Sequence, residues 1–176
     1  KAGLDWWAFQ KITRPEIPKP ENSRNSKPID AFILSELEKN KIRLSPKSSQ
    51  EELIKRIYYD LIGLVPSYER VQQFVNNKDI DGYEKLVDEL LGSSHFGERW
   101  ARHWLDVVRY AETNGYERDA VKPNIWKYGD WVIDAFNSDM PYDQFVKEQL
   151  AGDEIDNRTE SSVIATGMLR AGTWND

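Results

Sequence analysis

In 176 residues, 24 Lys and Arg stand against 30 Asp and Glu, a net charge of −6, and there is no cysteine. That balance repels nucleic-acid phosphates on average and no run of basic residues offsets it, so nucleic-acid binding is not expected. Charged residues make up 31% of the chain, no apolar run approaches the ~20 residues of a membrane span, and the absence of thiols excludes disulfides, thiolate metal sites, cysteine nucleophiles and covalent c-type haem within these residues.

No charged-then-apolar leader follows Lys1, so a signal peptide is expected to be lacking or to end ahead of it. Residues 1–27 read as an extended, Pro-rich N-terminal arm. Trp6-Trp7-Ala8-Phe9 is a short apolar anchor, and Pro15, Pro18 and Pro20 hold the following chain extended. Residues 28–176 read as one helical domain. Ser26 can cap a helix opening at Pro28, with Ile29, Phe32, Ile33 and Leu37 on one face and Asn40 closing it. Ser49 and Glu52 have capping-box spacing; Leu53, Ile54, Ile57 and Leu61 continue that face, and Gly63 suits the residue after the helix end. Pro66-Ser67 starts a shorter helix with Val71, Phe74 and Val75, and Tyr83, Leu86, Val87, Leu90 and Leu91 mark the next, stopped by Gly92.

Phe96 to Ala111 predicts a fifth helix and Asn124 to Asn137 a sixth, with Ile125, Tyr128, Trp131, Val132, Ala135 and Phe136 on one arc. Pro141 opens a seventh through Phe145, Val146 and Leu150, and Gly152-Asp153 stops it. Residues 153–160 form a polar loop, and a last helix is expected over 162–170. No alternating run is long enough for a strand. The expected fold is all-α, a compact bundle of about seven to eight short helices carrying the arm.

The stretch from Gly97 to Glu117 holds two Trp, two Tyr, three Arg and one of the two His of the chain. At about 100° per residue, Phe96, Trp100, Trp104, Val107, Val108 and Ala111 share an arc that reads as core-facing. Beside it runs a polar stripe of Arg99, His103, Asp106 and Tyr110. An imidazole beside a carboxylate keeps its charged form more easily, so His103 and Asp106 are candidates for an acid–base pair. Arg99 and Tyr110 are then placed to orient an anionic or hydroxyl group of a ligand. The competing reading is a structural stripe that ties the helix to its neighbours by hydrogen bonds. Arg102 and Arg109 fall away from the core arc, and His95 falls at the helix start.

Beyond the helix, Glu112, Asn114, Glu117 and Asp119 make a loop rich in oxygen ligands around the turn Asn114-Gly115. They form a weak candidate for a hard cation, since their spacing departs from the EF-hand loop. Together with the stripe, Glu112 and Asn114 complete the candidate polar site. Asp106, Glu112 or Glu117 could supply a carboxylate pair for glycoside hydrolysis, which depends on a separation that sequence does not give. Two His and no Cys are too few strong ligands for zinc, and no serine elbow, phosphate loop or dinucleotide fingerprint is present.

Five blocks in fixed order, from Pro28-Ile29-Asp30-Ala31-Phe32-Ile33 through Asp60-Leu61-Ile62-Gly63-Leu64-Val65-Pro66, Gly97–Asp106 and Arg109–Tyr116 to Asp139–Phe145 with Gln149-Leu150-Ala151-Gly152-Asp153, resemble the planctomycete-type cytochrome-associated domain. This is the second of the domains called PSCyt, a domain of unknown function. Val65 stands where that family tends to have Pro, and Glu112 where Asp is usual. The resemblance implies a module of a large exported protein, periplasmic or at the cell surface. A c-type haem lies elsewhere in such proteins, with a Cys-x-x-Cys-His attachment motif expected beyond Asp176. It supplies no catalytic residues. Three functions therefore stand side by side: a helical module that scaffolds or docks neighbouring redox domains of the same parent protein; part of an extracellular enzyme acting on polysaccharide; and a carbohydrate-binding or interaction module using its Trp and Tyr residues. No cofactor is expected within residues 1–176.

Overall fold

Ser49 begins its helix as its spacing with Glu52 predicts: the Glu52 N–H donates to Ser49 Oγ at 3.2 Å, and the Ser49 N–H donates to the Glu52 carboxylate at 3.3 Å. Gly63 ends that helix at a φ of 70°, which its missing Cβ permits. Local signals of this kind set most of the architecture. The computed structural model describes residues 3–21 and 27–173, with the backbone alone at Arg118. Among these residues the chain forms eight α-helices and no strand: α1 (Pro28–Lys39), α2 (Gln50–Ile62), α3 (Tyr68–Asn76), α4 (Gly82–Leu91), α5 (Ser94–Val107), α6 (Trp126–Asn137), α7 (Tyr142–Ala151) and α8 (Glu160–Ala165). Short 3-10 turns lie at Trp7–Phe9, Tyr116–Arg118 and Thr166–Arg170. The fold is all-α.

Two compact units divide the chain, residues 1–47 and residues 48–176. In the first, residues 11–20, which include Pro15, Pro18 and Pro20, have no regular structure, and Trp7 and Phe9 stand exposed. Lys27 occupies the position before α1, its N–H donating to the Asp30 carboxylate at 3.3 Å; Ser26, the expected cap, lies outside the described residues. Ala31 is the buried residue of α1, while Ile29 and Ile33 are exposed.

The second unit holds two apolar clusters. One joins Ile54, Ile57 and Ile62 of α2 with Val71 and Phe74 of α3 and Leu86 and Leu90 of α4. The other joins Ala101 of α5 with Tyr128, Trp131, Val132 and Ala135 of α6, Phe145 of α7 and Ala165 of α8. Helix α5 borders both, because Phe96 packs on the first cluster and Trp104, Leu105 and Val108 on the second.

The buried face of α5 matches only part of the arc that hydropathy marks: Phe96, Trp104 and Val108 pack on the clusters. Trp100 and Val107, read as core, are exposed, whereas Gly97 and Ala101 are buried. The cause is close helix approach. A Cβ on Gly97 would lie 2.5 Å from the Ile133 carbonyl oxygen and 2.6 Å from the Asn137 side chain. The Gly97 N–H donates to Asn137 Oδ1 at 2.8 Å, and Asn137 Nδ2 donates to the Ser94 carbonyl at 3.1 Å. A small-residue seam thus brings α6 against α5, and bulky neighbours turn outward.

A polar junction sits within the second cluster. The Trp104 indole N–H forks to the Tyr128 hydroxyl at 3.0 Å and to Gln149 Oε1 at 2.8 Å. Tyr128 O–H donates to the same Gln149 oxygen at 2.7 Å, and Gln149 Nε2 donates to the Phe145 carbonyl at 2.9 Å. Gln149 is 1% exposed, so each of these bonds prevents a costly unpaired polar atom. Burial pushes the Tyr128 hydroxyl up to about 12, against a weaker opposite pull from the Trp104 N–H.

Two outcomes follow for stability. Gly97→Ala gains about 1 kcal/mol of helix propensity but forces a backbone carbonyl and an amide side chain aside, a cost of roughly 2–3 kcal/mol. Urea denaturation should therefore show net destabilisation, and an unchanged or raised midpoint would refute the seam. For Tyr128, the folded state keeps its proton above the ordinary value of 10.0. Its contribution is complete below that pH and disappears as pH rises towards about 12, a loss of roughly 2–3 kcal/mol. Tyr128→Phe should flatten this part of an alkaline stability profile; an identical slope in the variant would contradict the buried hydroxyl.

Candidate functional site

Helix α5 opens with Ser93 Oγ accepting from the His95 N–H at 3.3 Å. His95 Nδ1 pairs with the exposed Glu98 carboxylate at 2.8 Å, so this histidine belongs to the helix start. The polar stripe then separates along the helix. Arg99 lies in the seam with α2: its guanidinium sits 5.5 Å from the centre of the Tyr59 ring, and a Cβ on Gly63 would come within 2.8 Å of its Cδ. Arg99 Nε is buried with no hydrogen-bond partner. His103 is exposed, its ring 5.4 Å from that of Trp100 at 58°. Asp106 is exposed too, and among the described residues no hydrogen bond or ion pair links it to His103. Arg102 and Arg109 are also exposed.

Tyr110 does not continue the stripe, because α5 stops at Val107. Arg109 takes a φ of 58°, its N–H donating to the Asp106 carbonyl at 3.2 Å while the Tyr110 N–H donates to the Leu105 carbonyl at 2.9 Å. This paired closure turns the chain away before the helical register reaches Tyr110. The Tyr110 ring lies over Gly129 of α6, 4 Å or less from where a Cβ would stand. Burial raises its hydroxyl pKa, with the Glu112 and Asp130 carboxylates adding to the effect. Arg99 thus faces α2, Tyr110 faces α6, and His103 and Asp106 face solvent.

The following loop is closed by its own backbone. Asn114 N–H donates to the Ala120 carbonyl at 3.0 Å and Lys122 N–H to the Glu112 carbonyl at 2.8 Å, around a bridge between Thr113 and Val121. Gly115 and Tyr116 both take positive φ, 71° and 58°. The Asp119 carboxylate accepts from the Thr113 side chain and from the Gly115 N–H at 3.0 Å, and both bonds lower its pKa. Asn114 Oδ1 is buried and unpartnered, while the Glu112 and Glu117 side chains are exposed. Among the described residues no group of three or more His, Asp or Glu is arranged to hold a metal ion.

Sequence reasoning missed Lys122. Its ammonium donates to the carbonyls of Gly172 at 2.6 Å and of Ala111 and Ala171 at 3.3 Å each. Burial lowers its pKa, and the neighbouring Arg170 charge adds to that. With the Ala111 N–H donating to the Ala171 carbonyl at 2.8 Å, it fastens the exit of α5 to the segment after α8. Gln149, Tyr128 and Asn137 were also missed as polar partners, since one side chain's register on a distant helix leaves no local pattern.

No curated protein and no solved structure matches the chain. No described helix is long and apolar enough to cross a membrane. The five blocks that carry the sequence resemblance fold into α1, the end of α2, α5 with its exit loop, and α7. The family model of PSCyt2, proteins of unknown function (DUF1549), matches residues 28–176, and the chain belongs to that family.

Proposed function

We propose that this chain is a non-catalytic helical module of an exported, c-type-haem-associated protein, and that it docks neighbouring domains of the same parent through the outer edge of α5. The observation that supports this is the division of α5 between two kinds of surface. Its inner face is fixed by Gly97, Ala101 and Trp104 against α6 and α7, while Trp100, His103 and Val107 lie outward, Val107 with 71% of its surface exposed. An aromatic, an imidazole and a branched apolar side chain at this spacing form an amphipathic strip that gains from being covered. Trp104 and Gln149, both within the family's own blocks, are meanwhile occupied internally and so serve to hold the strip rigid.

The test uses the full-length parent, expressed in cells that attach c-type haem. A Soret band and a haem mass increment are expected, and a haem-free product would end the redox half of the reading. His103→Ala and Asp106→Ala remove exposed, unpaired side chains, so each should change stability by no more than about 0.5 kcal/mol. Trp100→Ser with Val107→Ser should leave the melting temperature near its starting value yet speed proteolysis between this domain and its neighbours. If His103→Ala instead abolished a polysaccharide turnover of the parent with melting unchanged, the module would be part of an enzyme.

A further inference from the structure

Along α6, Trp126, Asp130 and Asp134 follow one another at four-residue spacing, so their side chains stand in a row on one edge of the helix. All three are exposed, Trp126 with 53% of its surface. Glu160, Ser161 and Ile164 of α8 complete a groove of about 420 Å³ beside this row. Among the described residues none of the three carboxylates is in a hydrogen bond or an ion pair. Lys127 also lines the groove and pairs with none of them. Like charges four residues apart on a helix repel, so Asp130 and Asp134 carry a cost that a bound cation removes.

Trp131 gives the groove a second, independent feature. It lines the groove although only 5% of its surface is exposed. The near-parallel rings of Tyr128, at 14°, and Phe145, at 17°, take its faces. Trp131 therefore meets the groove by its edge, the part of an indole that carries the Nε1 proton. That Nε1 is buried with no hydrogen-bond partner. Such a donor gains from any acceptor that reaches it.

An occupant that satisfies this groove brings positive charge for the carboxylates, a flat face for Trp126 and an acceptor for Trp131. A bare metal ion brings charge alone, and the carboxylates are not gathered closely enough to ligate one. A neutral sugar has a face and acceptors but leaves the charge of the row unanswered. A lysine ammonium has charge and no plane. Arginine within a peptide has all three. Its planar guanidinium spreads donors over several carboxylate oxygens and stacks on an indole, and a backbone carbonyl lies beside it. We propose that the groove between α6 and α8 binds an arginine-bearing peptide segment. The guanidinium lies on Trp126 among Asp130, Asp134 and Glu160, and a peptide carbonyl accepts from Trp131 Nε1. The inference does not depend on docking through Trp100 and Val107.

An end-capped peptide of alternating Arg and Ala is titrated into the full chain at constant ionic strength while the Trp126 and Trp131 indole N–H resonances are followed. A second peptide carries citrulline for each Arg, which keeps the shape and the carbonyls but removes the charge. The Arg peptide should move both resonances saturably, the Trp131 proton downfield as it gains an acceptor, and bind about tenfold more tightly than the citrulline peptide. Asp130→Asn with Asp134→Asn, on an exposed helix edge, should keep the melting curve and bring the Arg peptide about tenfold down, towards the citrulline affinity. Glu84→Gln with Asp88→Asn makes the same charge change on α4 and should leave the affinity unchanged. No saturation by the Arg peptide below about 10 mM would overturn the proposal. So would an unmoved Trp131 proton, a citrulline peptide that binds as well, or an equal loss from the α4 pair, which would mark general attraction to an acidic chain. Saturable shifts with cellopentaose and none with the Arg peptide would overturn it in favour of a sugar site.

Discussion

The Trp104 indole N–H holds the second unit together at its most buried polar point. It reaches one hydroxyl on α6 and one amide oxygen on α7 at once. Neither Tyr128 nor Gln149 could be this deeply buried without such a partner, because an unpaired amide or hydroxyl costs about 1–3 kcal/mol. The junction fixes rotation as well as distance. Turning α7 by one residue would take Gln149 away from both the indole and the Tyr128 hydroxyl, so the register of three helices is tied to one shared amide oxygen.

Around that point the packing follows from small residues and abrupt helix ends. Gly97 and Ala101 let α5 and α6 approach closely, and the aromatic residues gather where the helices diverge, around Phe145. Lys41, Arg109 and Asp139 each take a left-handed conformation just past a helix, where L side chains carry a cost of about 1–2 kcal/mol. At Arg109 and Asp139 the chain must turn at once, to place Tyr110 on Gly129 and Tyr142 at the start of α7. Fixed geometry at these turns sets what surrounds them.

What was legible in the sequence was what neighbouring residues decide. Ser49, Glu52 and Gly63 define a helix through bonds that span only a few positions, and Ile54, Ile57, Trp131 and Val132 repeat at the helical period. Trp100 was misleading for the opposite reason. Hydropathy places it inside, and the structure turns it outward, because Gly97 moves α6 to the adjacent face. The candidate site dispersed on the same grounds. Counting along an uninterrupted helix joins Asp106 to Tyr110, but Arg109 ends the helix between them. Lys122 left no trace at all, since backbone carbonyls have no residue identity.

Helix α5 is a party wall between two apolar clusters, with Phe96 in one and Trp104 in the other. Amide exchange in α3 and α4 can proceed by local opening that leaves the aromatic cluster intact. Exchange in α5 requires both clusters to open, which makes it the slowest-exchanging segment of the unit. The helix that carries the exposed edge is thereby the one least able to fray, and a partner meeting Trp100 and Val107 finds a surface already ordered, with little entropy left to lose on contact.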